Sequence, residues 1–143
     1  MKSDEITNSE DVIDSRNIIE RINELESEFE SLEDAILSAE DNEDEDEKER
    51  AQKELDEWEY KEELESLRKL QDEAEGYSDD WKYGATLIRE SYFIEYCQEM
   101  LEDIGDLPKD LPSYIAIDWD QTAENLKVDY TIVDFDGVDY YVR

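Results

Sequence analysis

IIERINELESEFESLEDAILSA, residues 18–39, decides how the chain is read. Ile18, Ile22, Leu25, Phe29, Leu32, Ile36 and Ala39 recur at alternating spacings of four and three, the period of a helix with one apolar stripe. In heptad terms Leu25 and Leu32 stand at d, and Ile22, Phe29 and Ile36 at a. No Gly or Pro interrupts residues 1–75, and Ser9 or Ser15 is placed to cap the start. The next stretch, DNEDEDEKE (residues 41–49), holds no apolar residue and reads as a turn or a frayed helix end. The period resumes, less cleanly, with Ala51, Leu55, Trp58, Leu64, Leu67 and Ala74. Two helices joined by a short polar segment fold back as an antiparallel hairpin. Glu26, Glu28 and Glu33 flank the first stripe and oppose a parallel homodimer, whereas Lys53, Lys61 and Arg68 on the second helix answer them.

The charge around that stripe is extreme. The chain of 143 residues carries 46 acids against 14 bases, a net charge of −32. Residues 1–75 hold 30 acids and 9 bases with three aromatics, Phe29, Trp58 and Tyr60; the remainder holds 16 acids and 5 bases with twelve aromatics. DNA, RNA and anionic lipid share the sign of this charge, so no nucleic acid and no membrane is expected as a direct partner. No run approaches the apolar length of a membrane span, and MKSDEITNSEDV lacks the basic and apolar regions of a secretory signal. One cysteine, Cys97, cannot form an internal disulfide and favours a reducing compartment, the cytoplasm. The absence of histidine removes the commonest general base and imidazole ligand together.

No enzyme is expected, and no cofactor or metal. An EF-hand loop needs alternate acids and then Gly; Asp44, Asp46 and Lys48 begin that pattern with no glycine and a cation where a ligand belongs. Cys97 lies within an apolar stripe and reads as an inert core thiol. The sequence has neither a Gly-rich phosphate loop nor a Ser/His/Asp set.

Residues 76–143 read as a compact module. Ser78 with Asp79 and Asp80 predicts an N-cap, and the stripe from Trp81 through Ile88, Phe93 and Cys97 to Ile104 predicts one core helix ended by Gly105. Pro108 and Pro112 fix a connector, and Asp118 with Gln121 predicts a capping box for a short helix to Lys127. Asp136-Gly137 between two alternating apolar runs predicts a type I′ hairpin. Tyr83, Tyr114, Tyr140 and Tyr141 interleave with acids and are candidate interface anchors, with alternation along a strand sending one of the last two inward. The expected fold is therefore α+β and mainly helical. An N-terminal antiparallel acidic helical hairpin, coiled-coil-like, spans residues 1–75, and a small helix–helix–β-hairpin module spans residues 76–143. The module is small enough that packing on the hairpin, or on a second copy as a homodimer, would support it.

Residues 117–130, IDWDQTAENLKVDY, followed by the Asp-Gly hairpin, resemble the end of ArdA-type antirestriction proteins. The positions that carry the likeness are Asp118, Trp119, Ala123, Leu126, Asp129 and Tyr130. Residues 92–103, YFIEYCQEMLED, are similar to small phage proteins grouped under the same label. The first 75 residues depart from that family and read as a separate acidic hairpin. The resemblance implies mimicry of DNA in the groove of a host restriction complex.

The charge arithmetic leads to the same expectation by its own route. A 30-residue helix is about 45 Å long. Spread along it, the net −21 of residues 1–75 gives about 2 Å per charge, against about 1.7 Å along duplex DNA. The acids off the stripe are the candidates for phosphate-like contacts: Glu20, Glu24, Glu28, Asp34, Glu40, Asp41, Glu43, Asp44, Asp46, Glu54, Glu57 and Glu63. The expected function is a non-enzymatic DNA mimic of phage type. It inhibits a host DNA-binding defence complex, either a restriction-modification enzyme or a CRISPR effector, by occupying its basic groove. The alternative is an acidic coiled-coil adaptor or chaperone that binds basic proteins in general.

Overall fold

Asp14 ends a strand and begins a helix. In the computed structural model, which describes residues 5–107 and 110–143, β1 (Val12–Asp14) leads directly into α1 (Ser15–Asp41). The Asp14 carboxylate accepts from the Arg16 N–H at 2.9 Å and caps the helix. Ser15, expected as a cap, is instead fully buried. Its hydroxyl donates to the Trp81 carbonyl and accepts from the Ala85 N–H, both at 2.7 Å, and so ties α1 to the rear half of the chain.

Along α1 the stripe faces inward: Ile18, Ile22, Leu25 and Ala39 are buried, and Phe29, Leu32 and Ile36 are half-buried. α2 (Glu45–Asp56) and α3 (Lys61–Glu75) return along α1. Ion pairs at 40–48, 26–68 and 21–63 show the antiparallel course. The acid run is mostly helix rather than turn. Only residues 42–44 turn, with Glu43 at φ 54°, and Asp44 caps α2 by accepting from the Glu47 N–H. Glu45, Asp46 and Glu47 then sit in a first turn, where the helix dipole favours acids. The return is split at residues 57–60 because the stripe changes phase there. Trp58 lies six residues before Leu64, and its ring packs against Phe29 and Tyr60.

The expected helix from Trp81 to Ile104 is four elements. α4 (Trp81–Gly84) is one turn, β2 (Thr86–Arg89) is a strand, and a 3₁₀ turn (Glu90–Tyr92) leads into α5 (Phe93–Asp103). Gly84, at φ 122°, ends the first turn, and Ala85 is already extended. Ser78 caps nothing; its hydroxyl donates to the Arg143 carbonyl at 2.9 Å. Asp118 does cap α6 (Trp119–Lys127), accepting from the Gln121 N–H at 3.0 Å. β3 (Thr131–Phe135) and β4 (Val138–Val142) join through Asp136 and Gly137, both at positive φ, the geometry of a type I′ turn. Gly105 also has positive φ, beyond the end of α5. Pro108 lies outside the described residues.

The four strands form an antiparallel sheet in the order β1-β2-β4-β3. Leu87, Val142, Tyr140, Val133 and Phe135 share one face and meet Ile18, Ile22 and Leu25 of α1, Leu64, Leu67 and Leu70 of α3, and Trp81. Ile88 and Tyr141 share the other face and meet Phe93 and Cys97 of α5 and Ala123 of α6. Tyr140 and Tyr141 do point to opposite faces, yet both are buried, because helices cover both sides of β4. The larger core thus draws on residues before and after residue 75, and one of the sheet's two edge strands, β1, comes from the first twenty residues. The architecture is α+β and 59% helical, with six α-helices and one antiparallel sheet among the described residues. No helix among them is long and apolar enough to cross a membrane.

Candidate partner-binding surface

The acids singled out above divide by what they touch. Glu63 is turned inward, its side chain only 8% exposed, and its carboxylate receives the Arg21 guanidinium at 2.9 Å. That hydrogen bond raises the Arg21 pKa above its ordinary value, and Glu24 lies 3.7 Å away on the same cation. The Tyr60 ring stacks 5.1 Å from the guanidinium carbon. Glu63 therefore joins α3 to α1 and is not an open acid. Glu20 and Glu24 line a groove of about 450 Å³ that Arg16 and Lys82 also line, and Arg16 itself pairs with Asp14 at 2.7 Å. Glu28 is half-buried.

Asp34, Glu40, Asp41, Glu43, Asp44, Asp46, Glu54 and Glu57 have a different setting. All eight are exposed, and all belong to the outer part of α1, its turn, and α2 with the residue after it. α2 packs along α1 and against no other helix or strand to a comparable extent, so these segments form an arm standing off the core. Its inner seam is thin: Ala39 and Ala51 are buried, with Ile36 and Leu55 half-buried. Two small residues facing each other let the helices lie close. Residues 33–57 carry thirteen acids and three bases. α2, at 12 residues, is about 18 Å long, so the net −10 of the arm again amounts to about 2 Å per charge. Within the arm Lys48 reaches Glu40 at 3.1 Å, and that hydrogen bond raises the lysine pKa.

Reasoning from spacing missed Glu33, Glu45, Glu47, Glu49 and Asp56, which are exposed on the same arm. Three of them lie in the run read as a turn. Its capping pattern, Asp44 followed by Glu47, was the available signal for a helix start. A second acidic groove, about 440 Å³, lies between Glu59, Glu62 and Glu63 on one side and Ile6, Asn8 and Asp136 on the other.

Tyr83 and Tyr114 are strongly exposed, whereas Tyr140 is fully buried and donates to the Glu10 carbonyl at 2.5 Å. Burial pushes the Tyr140 phenol up to about 12. Burial also raises the Cys97 thiol, which packs in the smaller core. Among the described residues no group of three or more His, Cys, Asp or Glu is placed to hold a metal ion. Compared with known proteins, the chain matches no family model, no curated protein and no solved structure.

Proposed function

We propose that this chain is a non-enzymatic mimic of DNA that acts in a bacterial cytoplasm. It occupies the basic groove of a host defence complex, a restriction-modification enzyme or a CRISPR effector, and keeps DNA out. The acidic helical hairpin of residues 1–75 supplies the charge, and the module behind it supplies a rigid base. One observation carries the reading: thirteen exposed acids lie within residues 33–57, on an arm whose charge per length is close to that of a duplex. A solvated coiled coil gains stability by mixing signs at i,i+4 spacing, and the arm largely forgoes those pairs. An array of carboxylates is a short-range match for Lys and Arg side chains and a long-range field that steers them in.

The test is a set of arm variants against purified restriction-modification and CRISPR effector complexes with labelled duplex. Replacing Glu40, Asp41, Glu43 and Asp44 together by Ser should raise the concentration needed to displace DNA about tenfold, chiefly through slower association. Ser at position 44 retains a helix cap, so the arm should keep its helicity. Equal displacement by the variant and the parent would contradict the assignment to the arm.

A further inference from the structure

The loop between α5 and α6 exposes apolar side chains to solvent. All described residues from Asp110 to Ala116 are exposed. Among them Leu111 is 37% exposed, Ile115 46% and Tyr114 87%. The Ile115 N–H donates to the Pro112 carbonyl at 3.0 Å, which closes a turn over residues 112–115 and places Tyr114 at its third position. A closed turn presents its side chains at the tip, where an unstructured loop would let them fold back. From Ile104 to Asp120 the sequence carries four acids, Asp106, Asp110, Asp118 and Asp120, and one base, Lys109. The result is an apolar turn within an acidic stretch of the chain.

We propose that this turn is a docking knob for a protein partner whose surface offers an apolar socket flanked by Lys or Arg. The inference rests on the reading of the chain as ligand of a basic groove, and it adds the short-range half of that contact. Charge complementarity selects the occupant. A second copy would set one acidic stretch against another, and nucleic acid or an anionic bilayer would meet it with its own sign. A basic protein surface gains from the acids of this stretch, and its apolar socket gains from Tyr114, a residue type that anchors interfaces at low conformational cost. The arm and the knob then divide the kinetics. Charge on the arm sets how fast the partner arrives, and buried apolar area at the knob sets how slowly it leaves.

Two synthetic peptides of equal length and equal positive charge serve as probes for the full-length protein. One combines Lys with Leu as an amphipathic helix; the other combines Lys with Ser. The Lys-Leu peptide should leave the parent protein about tenfold more slowly than the Lys-Ser peptide, with similar association rates. Tyr114→Ser with Ile115→Ser should abolish that difference. Tyr114→Phe with Ile115→Val should retain it, which separates loss of the knob from loss of the fold. Leu37→Ser should also retain it, since Leu37 is the exposed large apolar side chain of the arm and lies far from the loop in sequence. Equal dissociation of both peptides from the parent, or a difference that survives the double Ser variant, would overturn the proposal. Its failure is separate from that of DNA mimicry, which would show as DNA and this protein seated together on one defence complex.

Discussion

Arg21 shows how one residue can be misread through its partner. It is 5% exposed, and among the described residues it is the buried cation of a chain dominated by acids. Its carboxylate partner Glu63 lies 42 positions away, beyond the reach of any local spacing rule. By spacing Glu63 belongs with the open acids; by contact it is the counter-ion of a nearly dry guanidinium. Truncating it should leave the buried guanidinium without its closest carboxylate, with Glu24 remaining at 3.7 Å, and cost about 3 kcal/mol. Urea unfolding of Glu63→Ala checks this. Arg21→Met combined with Glu63→Leu should recover most of the loss, because the apolar pair removes both charges together. Tyr140 gives a second test at this scale. Its phenol titrates near 12 when folded, above an ordinary value of 10. A raised folded value means that the native state holds the proton after the unfolded chain has lost it. Stability is therefore fully present below pH 10 and falls between pH 10 and 12, by about 2–3 kcal/mol for two pKa units. Tyr140→Phe should flatten that alkaline limb; an unchanged limb would point to other groups.

At the scale of elements, local chemistry was readable wherever it was self-sufficient. Asp136-Gly137 forms the expected turn, and Asp118 caps α6 as expected, although the Gln121 amide donates to Asn125 and so leaves the capping box half-made. β2 was not readable. Leu87 and Ile88 are both fully buried because each face of the strand meets a different core, so the alternation that marks a half-exposed strand is absent. The residues also match the helical stripe on either side. Only Gly84 marks the break, and it carries a positive φ with a would-be Cβ 3.0 Å from the Arg16 Nε. Gly84→Ala should cost about 1–3 kcal/mol through the backbone conformation, since the Arg16 side chain can move aside. Thermal unfolding measures it. The arm yields a different expectation, because its seam is so thin. Ala39→Asp places a carboxylate between α1 and α2 and should release α2 while leaving the sheet core folded. Hydrogen exchange should then show lost protection in residues 45–56 and native protection in β2 and β4. Global loss of protection would mean that the arm is part of the main cooperative unit.

For the whole molecule, the decisive quantity is where net charge remains after internal pairing. Composition made the total legible, and periodicity made the first helix legible. Neither could separate an acid held inward, as Glu63 is by Arg21, from those left facing solvent on the arm, since that division depends on long-range packing. Self-repulsion of the arm should be screened by salt, so the melting temperature should rise as NaCl increases. A fall would contradict this account of the charge. The most direct test of DNA mimicry is equilibrium occupancy of a purified defence complex, restriction-modification or CRISPR effector, with labelled duplex and rising amounts of this protein. Mutual exclusion is predicted: each bound protein releases one duplex, and no species contains both. A stable ternary complex with DNA still in its groove would contradict it.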